Sequence, residues 1–481
     1  MDYTDGPLIV LFSDCSTVRK IVLFSDCSAV RKIVLFSDCS AIGKIVLFSD
    51  CSAVRKIEPF NFATNYVGNM DVKIYESKKN IGIYAAEIKA AAVEISDHVH
   101  IALLLDVSSS MEGDRLTTLQ NSLKAFLRCL SANDCLTIIT YSSLATVLCS
   151  YTIIGSSEAY WANLIDGLVA HGNTNMESAF TLLSRTCQQT PHAIILLTDG
   201  HVNAGASSAK SIILPLETNS RLHSTAIFTL GFGNDHNQIM LRDIALNTQG
   251  NYFYCDKSED LPQTFGSILG ILRNRYVEDI VLDLPGEYEW LERATPKDKR
   301  GIHINFLSGG TTQRFVFKKN TSELIVAPYL SVQCVVRGQG KQHFMTFTSA
   351  THINPLADAE YARLQTRDCI ATATNLLASN QTAVAISLLE KHLQSLESDA
   401  AIVTLPEVMC LRSLVLDLLD CLKKKGEQDH LLSRMTSMTT SLASQRNSAF
   451  DSPALDTMYT TSAQRSYTAN VSAEYESITQ K

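Results

Sequence analysis

The hydrophobic pattern changes character along the chain, and each change predicts a different architecture. Residues 9–56 are four copies of a twelve-residue unit, IVLFSDCSTVRK, IVLFSDCSAVRK, IVLFSDCSAIGK and IVLFSDCSAVRK, in which four apolar residues precede a polar stretch. Solenoid copies normally differ, because each meets a different neighbour. Copies this alike read as a recent duplication ahead of a domain that begins near Ile57; the alternative is a short stack of strand (IVLF) and turn (SDCS) units or a cysteine-bearing interaction segment. Exposed IVLF segments are also an aggregation hazard, partly guarded by the Arg-Lys pairs. Residues 57–97 then alternate with period two in VKIY, IGIYAAEI and AVEI, which predicts strands.

From His98 to about Arg273 the pattern is of another kind. HVHIALLLD is an almost unbroken apolar run, as for a strand buried on both faces of a parallel sheet. Leu116, Leu119, Leu123, Phe126, Leu127 and Leu130 follow at helical spacing. CLTIITY, HAIILLTDG, STAIFTLGFG and NYFYC read as further strands, and SSEAYWANLIDGL, MESAFTLLSRTC, HNQIMLRDIAL and LPQTFGSILGILR as helices. This alternation predicts an α/β fold, a doubly wound open sheet over residues 98–275.

Residues 276–350 return to strands, in YVEDIVLDL, GIHINF, QRFVFK, SELIVA, LSVQCVVR and HFMTFT. Strands on both sides of the α/β unit suggest that it is inserted into, or packed on, a β-sandwich drawn from both flanks; a separate downstream sandwich is the alternative. Residues 351–427 carry three apolar-faced helical patterns and predict a small helical bundle, the third pattern with Pro406 at its start and a lysine cluster at its end. Residues 428–481, rich in Ser and Thr, read as a mostly disordered tail.

Composition narrows the function classes. Among 481 residues, Lys+Arg 41 against Asp+Glu 49 gives a net charge of -8, with no basic excess to favour nucleic acid. No run approaches the length of a membrane span, and the N-terminus lacks the marks of a secretory signal, so a cytoplasmic protein is expected. Thirteen cysteines are an odd number without CxxC pairs, which argues against a disulfide framework or a zinc module. Asn320, Asn380 and Asn470 head Asn-x-Ser/Thr sequons, which matter only in a secreted chain.

In an open α/β sheet, ligands bind beyond the carboxyl ends of the strands. The first buried strand ends in Asp106, Val107, Ser108, Ser109, Ser110 and Met111; the loop HGNTN brings Thr174 just ahead of a helix; AIILLTDG ends in Asp199. Two carboxylates and three hydroxyls, without imidazole or thiolate, are hard oxygen donors suited to Mg²⁺, with Mn²⁺ or Ca²⁺ as competitors. The plainer reading is that Asp106 and Ser108 cap the first helix and Asp199 starts a turn, which explains each residue singly but not their convergence. GFGNDH lacks the third glycine of a dinucleotide loop and reads as a turn at the sheet edge; His98 and His100 read as structural, and His171 and His201 lie near the site in sequence.

DxSxS ending an apolar strand, then a loop threonine, then LLTDG, resembles the von Willebrand factor A domain and its metal-ion-dependent adhesion site. The resemblance covers residues 98–273. It implies that Ser108, Ser110 and Thr174 offer hydroxyl oxygens to the metal, that Asp106 and Asp199 bind it directly or through water, and that an Asp or Glu of a protein partner completes the shell. Many family members carry Gly where Ser109 stands, which leaves every ligand position intact. The order of β flank, A domain, β segment and helices is similar to plant and eukaryotic A-domain proteins with an associated C-terminal region, and more distantly to inter-alpha-trypsin-inhibitor heavy chains. Plant relatives often act in ubiquitin ligation through a RING finger; this chain has no such cysteine and histidine array. The expectation is therefore a non-enzymatic, metal-dependent protein-binding module. A scaffold acting through the helices and tail, at most an accessory to ubiquitin ligation, is the alternative, and no general base stands out to support a metal-assisted hydrolase.

Overall fold

The computed structural model describes residues 8–12, 21–24, 32–36, 45–48, 70–91, 98–233, 235–292, 301–320, 328–336, 342–348, 352–424, 428–446 and 452–480. The strand expectations AVEI and SELIVA and the SDCS segments of the repeats lie outside these residues. The chain divides into two units, Met1–Val67 and Gly68–Lys481. In the first, β1 (Leu8–Phe12), β2 (Ile21–Phe24), β3 (Lys32–Phe36) and β4 (Ile45–Phe48) form at the IVLF of each copy. β1 pairs with β3 and β2 with β4, both parallel.

In the second unit, β5 (Met70–Glu76) and β6 (Ile83–Ala90) precede the α/β region. That region runs β7 (His100–Asp106), α1 (Asp114–Arg128), β8 (Cys135–Tyr141), β9 (Ala145–Ile153), α2 (Glu158–Asp166), α3 (Met176–Thr186), β10 (Ala193–Thr198), α4 (Ala209–Glu217), β11 (Ile227–Phe232), α5 (Gln238–Asn247), β12 (Tyr252–Cys255) and α6 (Asp260–Arg273). The sheet order is β12-β11-β10-β7-β8-β9, parallel throughout except for β9 at the edge. Alternate residues of β7 feed opposite cores, as period two requires. Ile101, Leu103 and Leu105 pack with α1, α2 and α6; Ala102 and Leu104 pack with α3, α4 and α5. At roughly 1.5–3 kcal/mol for each fully buried aliphatic side chain, these two layers are what hold the sheet edge in place.

Two elements escape the sequence pattern. β9 is a partly exposed edge strand without a continuous apolar run, and α4 carries Pro215 in its last turn, where the ring removes one helical hydrogen bond. Ser208 caps α4 by accepting from the Ser211 N–H at 3.2 Å.

After α6 come β13 (Arg275–Asp283), β14 (Tyr288–Trp290), β15 (Gly301–Ser308), β16 (Thr312–Lys319), β17 (Tyr329–Val336), β18 (Gln342–Thr348) and β19 (His352–Ile353). They form one sheet of order β15-β13-β17-β18 and another of order β14-β16-β6-β5-β19. The second sheet joins strands from both sides of the α/β region, with β6 antiparallel to both β5 and β16, so the α/β region is an insertion between strands of one sheet.

The helices α7 (Pro355–Ala378), α8 (Thr382–Ser398) and α9 (Pro406–Lys423) follow, then α10 (Gln428–Ser444), α11 (Pro453–Tyr459) and α12 (Ser462–Thr479). The last three correct the expectation of a disordered tail. Met435, Met438, Leu442 and Leu455 share a core with α7, α8 and α9, while Val471 of α12 belongs to the core that contains α1 and α6. A buried ionic cluster ties the helices to the β-sheets: Arg363 donates to Glu360 (2.7 Å) and Glu292 (2.5 Å), and Arg314 to Glu87 (2.7 Å) and Glu360 (3.3 Å).

Candidate metal site

The chain leaves β7 toward β8 and β9 on one side of the sheet and returns through β10 on the other, so the crevice between β7 and β10 is the topological switch point. Asp106 ends β7 and Asp199 directly follows β10. Asp106 Oδ1 accepts from the Ser108 N–H (2.8 Å), and Oδ2 from the Thr198 hydroxyl (2.6 Å). The Ser108 and Ser110 hydroxyls are 3.1 Å apart, and Ser110 Oγ donates to Asp199 Oδ1 at 2.7 Å. Four of the five candidate residues thus form one connected hydrogen-bonded set. Ser110 sits at its solvent edge, and Asp106, Ser108 and Asp199 are buried beneath.

Thr174 is buried on the loop that follows α2, held by its backbone to Asn203 and Ala204. The loop that carries it is pinned to the β7 turn by His171 N–H to Val107 O (2.8 Å) and Ser109 N–H to Gly172 O (3.1 Å). Thr174 N–H donates to Asn203 Oδ1 (2.8 Å), and its carbonyl accepts from the N–H groups of Asn203 and Ala204. On the 171–174 loop every one of these bonds uses a main-chain atom, and only Asn203 contributes a side chain. Gly172 is needed in this loop, because φ is +75° and a Cβ would lie 2.7 Å from Ser143 Oγ. Asn175 then caps α3, accepting from the Ser178 N–H at 3.2 Å.

Helix capping does not account for the first motif. Ser108 precedes a short 3-10 turn at Ser109–Met111 without a side-chain cap bond, and the N-cap of α1 is Gly113, at φ 84°. Burial pushes the Asp106 carboxyl up to about 6, against the opposing hydrogen bonds from Ser108 and Thr198, and the nearby Asp199 charge adds to the rise. Two fully buried carboxylates side by side call for positive charge.

The motif, its order and its place at the switch point agree with one family. The chain is a von Willebrand factor A domain protein. The family model of the von Willebrand factor type A domain matches residues 100–267. The chain is 28% identical over 233 residues to the uncharacterized protein YfbK of Escherichia coli (strain K12), covering 47% of this chain and 40% of that one. It is distantly related to inter-alpha-trypsin inhibitor heavy chain H6 of Homo sapiens, 28% identical over 251 residues, or 47% of this chain and 17% of the relative. It therefore spans less than half the length of these relatives. Among solved structures, a von Willebrand factor type A protein from Catenulispora acidiphila superposes with TM-score 0.59 at 12% identity, over 78% of this chain and 96% of that one. The ArnB paralog VWA2 from Sulfolobus acidocaldarius gives 0.54 at 13% identity, over 78% and 99%. Coverage this broad extends the likeness of fold beyond the A domain to the flanking sheets and helices.

Sequence reasoning missed Arg115 of the A domain. From the first turn of α1 its guanidinium donates to Asp199 Oδ2 at 2.6 Å and to the Ser110 carbonyl at 3.4 Å. A cation at a helix N-terminus opposes the helix dipole, so the buried Asp199 charge is what favours this placement. Arg115 lies nine positions after Asp106, a spacing that carries no signal until the fold brings β10 alongside. Thr198, which holds Asp106, was overlooked although it directly precedes Asp199. The turn at GFGNDH lies nearer the site than expected: Gly233 packs beside the Arg115 guanidinium, and His236 beyond it bonds Tyr252 OH through Nε2 (2.7 Å). His171 bonds Ser142 Oγ at 3.2 Å and His201 pairs with Asp235 at 3.8 Å, so both are tied to neighbouring loops.

The residues present fit a hard divalent cation. No group of three or more His, Cys, Asp or Glu side chains converges among the described residues, so an ion here would rest on two carboxylates and on hydroxyls. What converges is carboxylate and hydroxyl oxygen, from Asp106, Ser108, Ser110 and an Asp199 that Arg115 also contacts, the donor chemistry that Mg²⁺, Mn²⁺ and Ca²⁺ share.

Proposed function

We propose that this chain is a divalent-cation-dependent protein-binding module. Asp106, Ser108, Ser110, Thr174 and Asp199 hold the ion, with Mg²⁺ the first choice and Mn²⁺ or Ca²⁺ as competitors. Bound there, the ion supplies an open coordination position for an Asp or Glu carboxylate of a protein partner. The observation that supports this reading is the connected hydroxyl and carboxylate set at the switch point, with Asp106 and Asp199 wholly out of water. Ser108 and Ser110 present their hydroxyls from one turn, Thr198 orients Asp106, and the backbone clasp of residues 171–174 fixes Thr174. A single carboxylate contact is modest, so specificity must come from the rim. Leu144, 78% exposed, and Val169, 67% exposed, stand on two loops that are hydrogen-bonded together beside the site through Ser142 and His171. They give a partner apolar contact area around its acidic residue.

One observation favours a second reading. Arg115 already neutralises Asp199, as in a domain that keeps the fold and organises the chain as a scaffold without taking up metal. Thermal melts in Mg²⁺, Mn²⁺, Ca²⁺ and EDTA separate the two. A metal present at about 100 times its Kd stabilises the native state by about 2.7 kcal/mol and raises the midpoint. Asp106→Ala and Thr174→Ala proteins should fold yet lose that shift. No shift in any of the three metals would favour the scaffold.

A further inference from the structure

The metal site uses none of residues 9–56, yet the strands there pair in a specific way. Ile9, Val10, Leu11 and Phe12 lie opposite Ile33, Val34, Leu35 and Phe36; Ile21, Val22, Leu23 and Phe24 lie opposite Ile45, Val46, Leu47 and Phe48. Every IVLF residue faces its own counterpart 24 positions later, two repeats on, in parallel register; the flanking Leu8–Lys32 pair alone joins unlike residues. Parallel ladders of identical residues are the arrangement by which like chains stack, and such a ladder accepts any further strand of the same sequence. Among the described residues each of these sheets ends at two strands, so both of its edges present unpaired N–H and C=O groups. All four IVLF copies in the chain are already committed to these pairs, and another copy of the chain is a source of identical strands.

We propose that the repeat segment is a homotypic association surface, through which copies of this chain join by adding IVLF strands to one another's two-stranded parallel sheets in the same register. Strands of four or five residues are individually marginal, so one added strand binds weakly. Four copies per chain let several weak pairings act together. Charge sets the conditions: the repeats carry seven basic and four acidic residues, a net +3, so two repeat segments repel. Added salt screens that repulsion and should strengthen self-association, whereas it would weaken attraction to an acidic partner.

The test is sedimentation velocity on the full chain in EDTA, which silences the metal site and keeps this inference separate from the proposed function. The protein is taken from about 1 to 100 μM, at about 0.05 and 0.5 M salt. A variant carrying Val10→Pro, Val22→Pro, Val34→Pro and Val46→Pro removes a ladder donor from every strand. The expected result is a mass-average that roughly doubles or more with concentration, rises further in high salt, and returns to the monomer value in the four-proline variant. The thermal transition of the A domain in that variant should match wild type, which excludes general misfolding as the cause. A monomer at every concentration, association that survives the prolines, or association that weakens with salt would each overturn the proposal.

Discussion

Gly266 and Gly270 lie one turn apart on α6, facing α12. A Cβ on Gly270 would sit 2.6 Å from the Cα of Gln464 and 2.9 Å from its backbone nitrogen; one on Gly266 would sit 2.6 Å from the Cα of Thr468. Two effects of Gly270→Ala oppose each other. In a helix with open space beside it, the change stabilises by about 1 kcal/mol, because alanine has less backbone freedom to lose. Here the methyl meets backbone, which cannot rotate aside, so α12 must move, at an overpacking cost near the upper end of about 1–3 kcal/mol. The ceiling is full undocking of α12, which would expose Val471 and uncover the partly buried Tyr467, Tyr475 and Ile478, together about 4–6 kcal/mol by area. Net destabilisation of about 1–2 kcal/mol is therefore expected in the full chain. In a chain ending before Ser462 the clash is gone and the same substitution should stabilise by about 1 kcal/mol. Urea midpoints measure both values, and limited proteolysis should show faster cleavage within residues 462–479 of the full-length variant. Stabilisation by Gly270→Ala in both backgrounds would refute the docking of α12 and the reasoning built on it.

Arg115→Met removes the cation from a fully buried Asp199. Since the Arg115 side chain is 39% exposed, the loss in EDTA should fall between the surface and buried cases, about 1–3 kcal/mol. A divalent ion should make good the missing charge, so the metal-induced rise in melting midpoint should be larger in the variant than in wild type; a smaller rise would show that Arg115 supports the ion instead. Burial lowers His100 and His236 to about 4, below the ordinary 6.5. The unfolded chain then binds protons between pH 6.5 and 4 that the native state does not, so stability should fall as pH drops through that window. Each histidine accounts for up to about 3 kcal/mol; urea midpoints across pH should show a shallower slope for His236→Gln, and an unchanged slope would count against it. Arg363→Met leaves Glu292 and Glu360 buried without their main partner and should cost about 3–5 kcal/mol, read as a lower midpoint, with Glu292→Gln and Glu360→Gln together recovering part of the loss.

Ser- and Thr-rich composition misled most at α10. Ser433, Thr436, Ser437, Thr439, Thr440 and Ser441 are all buried there. Four of their hydroxyls bond the carbonyl one turn back: Thr436 to Leu432 (2.7 Å), Thr439 to Met435 (2.8 Å), Thr440 to Thr436 (2.9 Å) and Ser441 to Ser437 (3.2 Å). A hydroxyl satisfied inside its own helix can be buried at little cost, and small side chains allow close approach. Tertiary contacts then keep the helix in place. Tyr254 OH meets His430 Nδ1 at 2.6 Å, and Gln445 exchanges hydrogen bonds with the backbone of Arg314. Residue type along the chain records polarity, whereas burial depends on what a helix finds to pack against.

Local pattern, by itself, determined the α/β alternation, the strand ends and the placing of the candidate residues Asp106, Ser108, Ser110, Thr174 and Asp199 at or beyond them, because side-chain period and strand termini are properties of neighbouring residues. The unbroken apolar runs of β7 and β10 marked buried parallel strands, and the order of the motifs pointed to the crevice between them. Only the tertiary structure decided which residues attend those side chains from afar. Arg115 meets Asp199 across 84 positions, Thr198 reaches Asp106 across 92, and the glycines of α6 meet α12 nearly 200 residues later. Charge pairing, hydroxyl donation and backbone contact act through space at a few ångströms, and separation along the chain carries no record of them until the sheet has assembled and the helices have closed over it.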